Sequence, residues 1–195
     1  MFKFLTKIRA RHQTAKALYQ TALAQARTKL FFQGLGVPDT ISGRFEATVL
    51  HGFLVWNRLR TEGADGARLA QAVFDVLFVD MDRSLRLAGV GDLAIPHHMK
   101  RMMRGFKGRA MAYKEGLENP DDPDVLMGAI RRNLFGTVAE PDENSLRWFA
   151  EYTKAAAVLL AAQPWHVLAQ GKISFAGLID EQESTGRSPD PRMVA

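Results

Sequence analysis

Apolar residues recur along this chain every three or four positions, and nowhere alternate over a stretch long enough for a strand. Phe2, Leu5, Ile8, His12, Ala15, Leu18, Ala22, Ala26 and Leu30 mark one face of a first helix, which Gly34-Leu35-Gly36 should end. Behind Ser42, the face formed by Phe45, Val49, Phe53, Trp56 and Leu59 predicts a second. Gly63 and Asp65-Gly66 punctuate the chain, with Asp65 placed to cap a third helix over residues 67–87. There Leu69, Val73, Val76, Asp80 and Ser84 form one stripe, and Phe74, Phe78, Met81 and Leu85 form its neighbour. So apolar a circumference is expected of a helix enclosed by others. Gly89 suits the left-handed residue that follows a helix.

Pro96 fits the first turn of a fourth helix, with Met99, Met103, Phe106, Ala110, Tyr113 and Leu117 on one face. Asn119-Pro120-Asp121-Asp122-Pro123 separates it from a fifth, whose inward residues are Leu126, Ile130 and Leu134. Pro141-Asp142 opens a sixth, running through Leu146, Phe149, Thr153, Ala156 and Leu160 until Pro164 bends or ends it. The fold class is therefore all-α, a compact bundle of about six helices. Its expected divisions are an N-terminal basic amphipathic helix (1–36), a helical domain (37–175) and a mobile, polar C-terminal tail (176–195).

Composition narrows the chemistry. The 195 residues suit one domain, and the absence of Cys removes disulfides, thiolate metal sites and Cys nucleophiles. No stretch of roughly 18 uncharged apolar residues could span a bilayer as a helix. Net charge is +5, but seven of the 26 Lys and Arg lie in residues 1–38, where no acid occurs. The other 19 face 21 Asp and Glu, so the excess belongs to an N-terminal arm. Within it Phe2, Lys3, Phe4, Lys7, Arg9 and Arg11 suit an anionic membrane surface. The same charges would attract nucleic acid, although no specific recognition motif accompanies them.

The stretch Val-Leu-Phe-Val-Asp80-Met-Asp82-Arg-Ser looks like the start of a haloacid dehalogenase-type phosphohydrolase, in which two aspartates at the end of a strand hold a metal. On a helix, however, Asp80 and Asp82 diverge by about 200° and cannot share one cation. They are instead spaced to pair with Arg83 and Arg86. His97 and His98, adjacent on a helix, diverge by about 100° and would not converge on one ion either. No nucleophile elbow, phosphate loop or dinucleotide fingerprint is present. Residues 96–114 carry six basic residues and no acid, with Met99, Met102, Met103 and Met111 beside the charges. That combination suits an adaptable groove for an apolar partner with acidic flanks; it equally suits a core-facing Met/Phe stripe with a solvated basic flank. Gly105 and Gly108 each cost about 1 kcal/mol in a helix, so a close helix approach is expected there.

Several stretches in order resemble the ubiquinol-cytochrome c chaperone family. They are Phe45-Glu46 leading to Trp56 and Arg58-Leu59-Arg60, and Phe74-Asp75 followed by Asp80-Met81-Asp82. Next come Leu85-Arg86 with Gly89-Val90-Gly91-Asp92, then Pro96 with Met99-Lys100, then Phe106, Gly108-Arg109 and Tyr113. Arg132-Asn133-Leu134-Phe135 completes the set, and the match spans about residues 37–175. The resemblance implies a non-enzymatic assembly factor without a cofactor, which binds newly made cytochrome b during biogenesis of the cytochrome bc1 complex. In mitochondria such proteins work on the matrix side of the inner membrane with a small co-chaperone, near the ribosome. The short start of this chain is similar to a bacterial member, peripheral at the cytoplasmic face of the inner membrane. Candidate client contacts are Met99, Lys100, Met103, Arg104, Lys107 and Arg109, with Asp80, Asp82 and Asp92 at a polar corner.

Overall fold

The structure, a computed structural model, describes residues 2–178, with side chains from Thr6 onward. Eight helical segments occur among them: α1 (Phe2–Ala26), α2 (Lys29–Gln33), α3 (Ile41–Leu59), α4 (Gly63–Leu87), α5 (Ile95–Glu118), α6 (Pro123–Asn133), α7 (Glu143–Ala162) and α8 (Trp165–Leu168). No strand is found among the described residues. The six long helices are those the periodicity predicts, and the all-α class stands. Of the expected tail, residues 179–195 lie outside the described residues, while Leu178 packs into the core.

Local chemistry sets most of the boundaries. Thr40, not Ser42, caps α3, its side chain accepting from the Gly43 amide at 3.1 Å. Asp65 lies inside the first turn of α4 instead of capping it. Asp122 and Asp142 cap α6 and α7. Gly89 closes α4 with φ 81°, its amide donating to Arg86 and that of Val90 to Leu85, a left-handed C-terminal motif. The first helix is not continuous to Leu30. Thr28 turns its hydroxyl onto the Gln25 carbonyl at 2.7 Å, the chain breaks, and α2 drives Phe31 into full burial.

α3 is the central helix. All ten residues from Glu46 to Val55 are buried, because α1, α4, α5 and α7 surround it. The sequence assigns that place to α4, but Val79 of α4 is 69% exposed and its outer face meets solvent. Gly52 lets α4 approach: a Cβ there would stand 2.7 Å from Leu77 Cδ1. At Gly108 nothing lies within 4 Å of an added Cβ, and at Gly105 it would meet only the Arg109 guanidinium of the same helix. The expected close helix approach occurs at Gly116, against the Leu126 backbone of α6.

Two polar links from the buried middle of α3 tie the bundle together. His51, fully buried, donates from Nδ1 to the Ala47 carbonyl at 2.8 Å, which leaves Nε2 to accept from the Tyr152 hydroxyl at 2.7 Å. Tyr152 in turn accepts from Gln25 Nε2 at 3.0 Å, so α1, α7 and α3 share one directed chain. Phe31, Trp148 and Phe175 pack around it. The second link joins α3 to α5. Arg109 donates from Nε to Glu46 at 2.6 Å and from Nη2 to the other carboxylate oxygen, with the Phe45 ring 5.6 Å from the guanidinium carbon. Burial raises Glu46 above its ordinary range while Arg109 opposes that rise.

Burial lowers the His51 pKa from 6.5 to about 4. The unfolded chain therefore takes up a proton near 6.5 that the folded chain refuses until about 4, and stability is full above that window and falls within it. A loss of about 3 kcal/mol is expected from this group between pH 6.5 and 4, after which it levels off. Denaturant titrations across that range should show the slope in the native chain and a flatter profile in His51→Asn. At the second link, Arg109→Met leaves a buried carboxylate alone and should cost about 3 kcal/mol. Glu46→Gln combined with Arg109→Met should recover much of that loss in the same unfolding assay.

Candidate functional site

Because Arg109 points inward to Glu46, the stripe of α5 that carries Met103, Lys107, Met111 and Lys114 is left facing outward, at spacings of three and four residues. It forms one wall of a groove of about 340 Å³. The opposite wall is Trp56 and Arg60 from the end of α3 and Gln71 from α4; Phe74, Phe106 and Ala110 form the apolar base. Phe74 and Phe106 meet edge-on with centroids 4.9 Å apart, and the Arg60 guanidinium lies 4.7 Å from the Trp56 ring centre. Met103 and Met111 are 49% and 62% exposed. Arg60, Lys107 and Lys114 are the charged lining residues, and no carboxylate lines the groove. Unbranched, polarizable thioethers over an aromatic base can repack around different apolar shapes, while the cations favour an acidic flank.

The methionines of this segment divide between the core and the groove. Met99 and Met102 pack against the core, whereas Met103 and Met111 face the groove. Lys100 and Arg104 are exposed outside it, and Arg109 is spent on Glu46. Trp56, Arg60, Gln71 and Phe74 were not singled out as site residues, since a groove wall assembled from three helices has no signature in any one of them. The i,i+4 pair Trp56 and Arg60 was the available signal.

The aspartates part company. Asp80 accepts from the Tyr19 hydroxyl of α1 at 2.7 Å, not from Arg83, and burial with the nearby carboxylate pushes the Tyr19 pKa upward. Asp82 pairs with Arg86 as expected, at 2.7 Å, and Arg86 also holds Asp92 at 2.5 Å, which pins the α4–α5 corner. With a helix in place of a strand and different partners for each carboxylate, the phosphohydrolase alternative is overturned. Among the described residues no cluster of His, Asp or Glu could hold a metal ion. His97 and His98 lie edge-on with ring centres 6.3 Å apart, and His98 Nδ1 meets Arg101 at 3.0 Å. Of the arm, the side chains of Phe2, Lys3 and Phe4 fall outside the described residues; Lys7 and Arg9 are exposed and Arg11 is half-buried.

Comparison with known proteins places this architecture. A family profile described as "Ubiquinol-cytochrome C chaperone" matches residues 33–175. The human protein named ubiquinol-cytochrome c reductase complex assembly factor 1 is 23% identical over 176 residues, covering 90% of this chain and 58% of its own. The Xenopus laevis protein of the same name is 25% identical over 64% of this chain and 60% of its own. Saccharomyces cerevisiae Protein CBP3, mitochondrial, is 28% identical over 80% and 47%. The chain thus spans roughly half the length of these relatives. A crystal structure of the Cbp3 homolog from Brucella abortus superposes with a TM-score of 0.78 at 32% identity, covering 90% of this chain and 96% of that one. A profile match that takes in α3 to α7, with a solved fold at this identity over nearly the same length, leaves one assignment: the chain belongs to the ubiquinol-cytochrome c chaperone family.

Proposed function

We propose that this protein is an assembly chaperone for the cytochrome bc1 complex, with no catalytic role, and that newly made cytochrome b docks in the groove between α3, α4 and α5. Family membership supports the process, since relatives carry the name of ubiquinol-cytochrome c reductase assembly factors. The observation that carries the site is the pairing of exposed Met103 and Met111 with an aromatic base and with Arg60, Lys107 and Lys114 as the charged lining residues, the last of them paired with Glu118. A membrane protein awaiting its partners exposes apolar helix faces, and a chaperone acts on it by binding that state in preference to others.

The cations of the arm, exposed Lys7 and Arg9 with half-buried Arg11, support work at an anionic inner-membrane surface. Among the described residues no helix is long and apolar enough to cross a membrane. Contact with a small co-chaperone or the ribosome belongs to the same reading, and the polar corner of Arg86 with Asp82 and Asp92 offers a rigid surface for it.

In cells lacking the native gene, a Met103→Glu/Met111→Glu chain should fold with unchanged helical content yet lose co-purifying cytochrome b by about tenfold or more, as expected when two central contacts are removed. The level of assembled bc1 complex should fall with it, while Val158→Glu, at a still more exposed apolar position on α7, should behave as the native chain. Native bc1 levels in the double variant would reject the groove, and native levels after deletion of the gene would reject the function itself.

A further inference from the structure

A second cleft, of about 540 Å³, opens on the other flank of α4. Lys7, Ala10, Arg11 and Thr14 of α1 line one side; Asp65, Arg68 and Leu69 of α4 line another, closed by Trp165 of α8. Three cations from two helices face one carboxylate, and Arg68 already holds that carboxylate at 2.5 Å. Neither Lys7 nor Arg11 makes an ion pair among the described residues. Among the described residues, two cations without an ion-pair partner and a third bound to a single acid leave the cleft short of negative charge.

The ligand chemistry follows from these groups. Two guanidinium forks and an ammonium suit the several oxygens of a phosphate, and the volume lies in the range of small-molecule sites. Trp165 supplies the amphipathic wall that lies well at a membrane boundary, and Ile8, the residue after Lys7 in α1, is 41% exposed. We propose that this cleft binds the phosphate of one anionic phospholipid headgroup, converting the diffuse attraction of the basic arm into a fixed docking point.

Such a point would orient the molecule. Arg68 and Leu69, which line the cleft, precede Gln71 and Phe74, which line the groove, by roughly one turn of the same helix. The two sites occupy opposite flanks of that segment of α4. A headgroup held at Arg68 therefore fixes the angle at which the groove stands to the bilayer. The inference rests on the assembly role only for its purpose, because binding is measured without a client.

The test is sedimentation of the purified full chain with vesicles of zwitterionic lipid, with and without a minority of phosphatidylglycerol, at fixed ionic strength. Arg11→Ala and Arg68→Ala line the cleft, whereas Arg9→Ala removes the same charge from the arm outside it. Loss of one surface cation should weaken binding roughly fivefold. The proposal expects that loss for Arg9→Ala and a further tenfold or more for either cleft variant, with unchanged helical content and no binding to purely zwitterionic vesicles. Equal losses for all three variants would overturn it in favour of diffuse attraction. Inorganic phosphate in excess should displace the chain from the charged vesicles; phosphate binding by the native chain with equal sedimentation by vesicles with and without phosphatidylglycerol would overturn the lipid assignment. A negative result here leaves bc1 assembly standing, since that is scored separately in cells.

Discussion

Two charges that leave water together, the carboxylate of Glu46 and the guanidinium of Arg109, decide which way α5 faces. α5 carries few buried residues for its 24 positions, among them Phe106, Ala110 and Tyr113, so apolar burial alone specifies its rotation loosely. A bidentate pair across the α3–α5 boundary is directional, and leaving either member unpaired is costly. Gly105 serves the same end, since a side chain there would collide with the Arg109 guanidinium as it lies back along the helix. With Arg109 fixed inward, Met103, Lys107, Met111 and Lys114 are turned toward Trp56 and Arg60, and the groove exists.

The central helix makes this possible by carrying polar groups that are satisfied inside the bundle. Thr48 returns its hydroxyl to the Arg44 carbonyl at 2.8 Å, His51 continues the chain from Gln25 and Tyr152, and Glu46 holds Arg109. The bonds from His51 and Glu46 attach different neighbours: α7 and through it α1 in one case, α5 in the other. The aromatic packing of Phe31 and Trp148 excludes water from the His51 chain, which strengthens its bonds and keeps the imidazole neutral. The polar groups therefore specify the arrangement of helices whose apolar faces would tolerate several.

This is also why the sequence could be read only so far. Six long helices were legible because amphipathic periodicity and the caps and glycines around it are local. The identity of the central helix was not: Glu46, Thr48 and His51 look like an outer face until partners 63 and 101 residues away are known. The break after Ala26 was hidden because the apolar spacing runs on to Leu30, and only the seat of Phe31 in the core decides it. Arg109 looked like one more cation on a basic flank. Met103 and Lys107 were recognisable from α5 alone, whereas Trp56 and Phe74 joined them through tertiary packing.

In the resulting picture the N-terminal half of α4 is shared between a cationic cleft on one side and an apolar, cation-rimmed groove on the other. Under the proposed function, one helix would then serve both a membrane contact and a client contact. The most direct measurement of the central claim is photocrosslinking in cells from a diazirine side chain at position 111, compared with position 158, both exposed and apolar in the native chain. The account predicts an adduct with newly made cytochrome b from 111 and none from 158. Equal adducts from both positions, or an adduct from 158 alone, would contradict it.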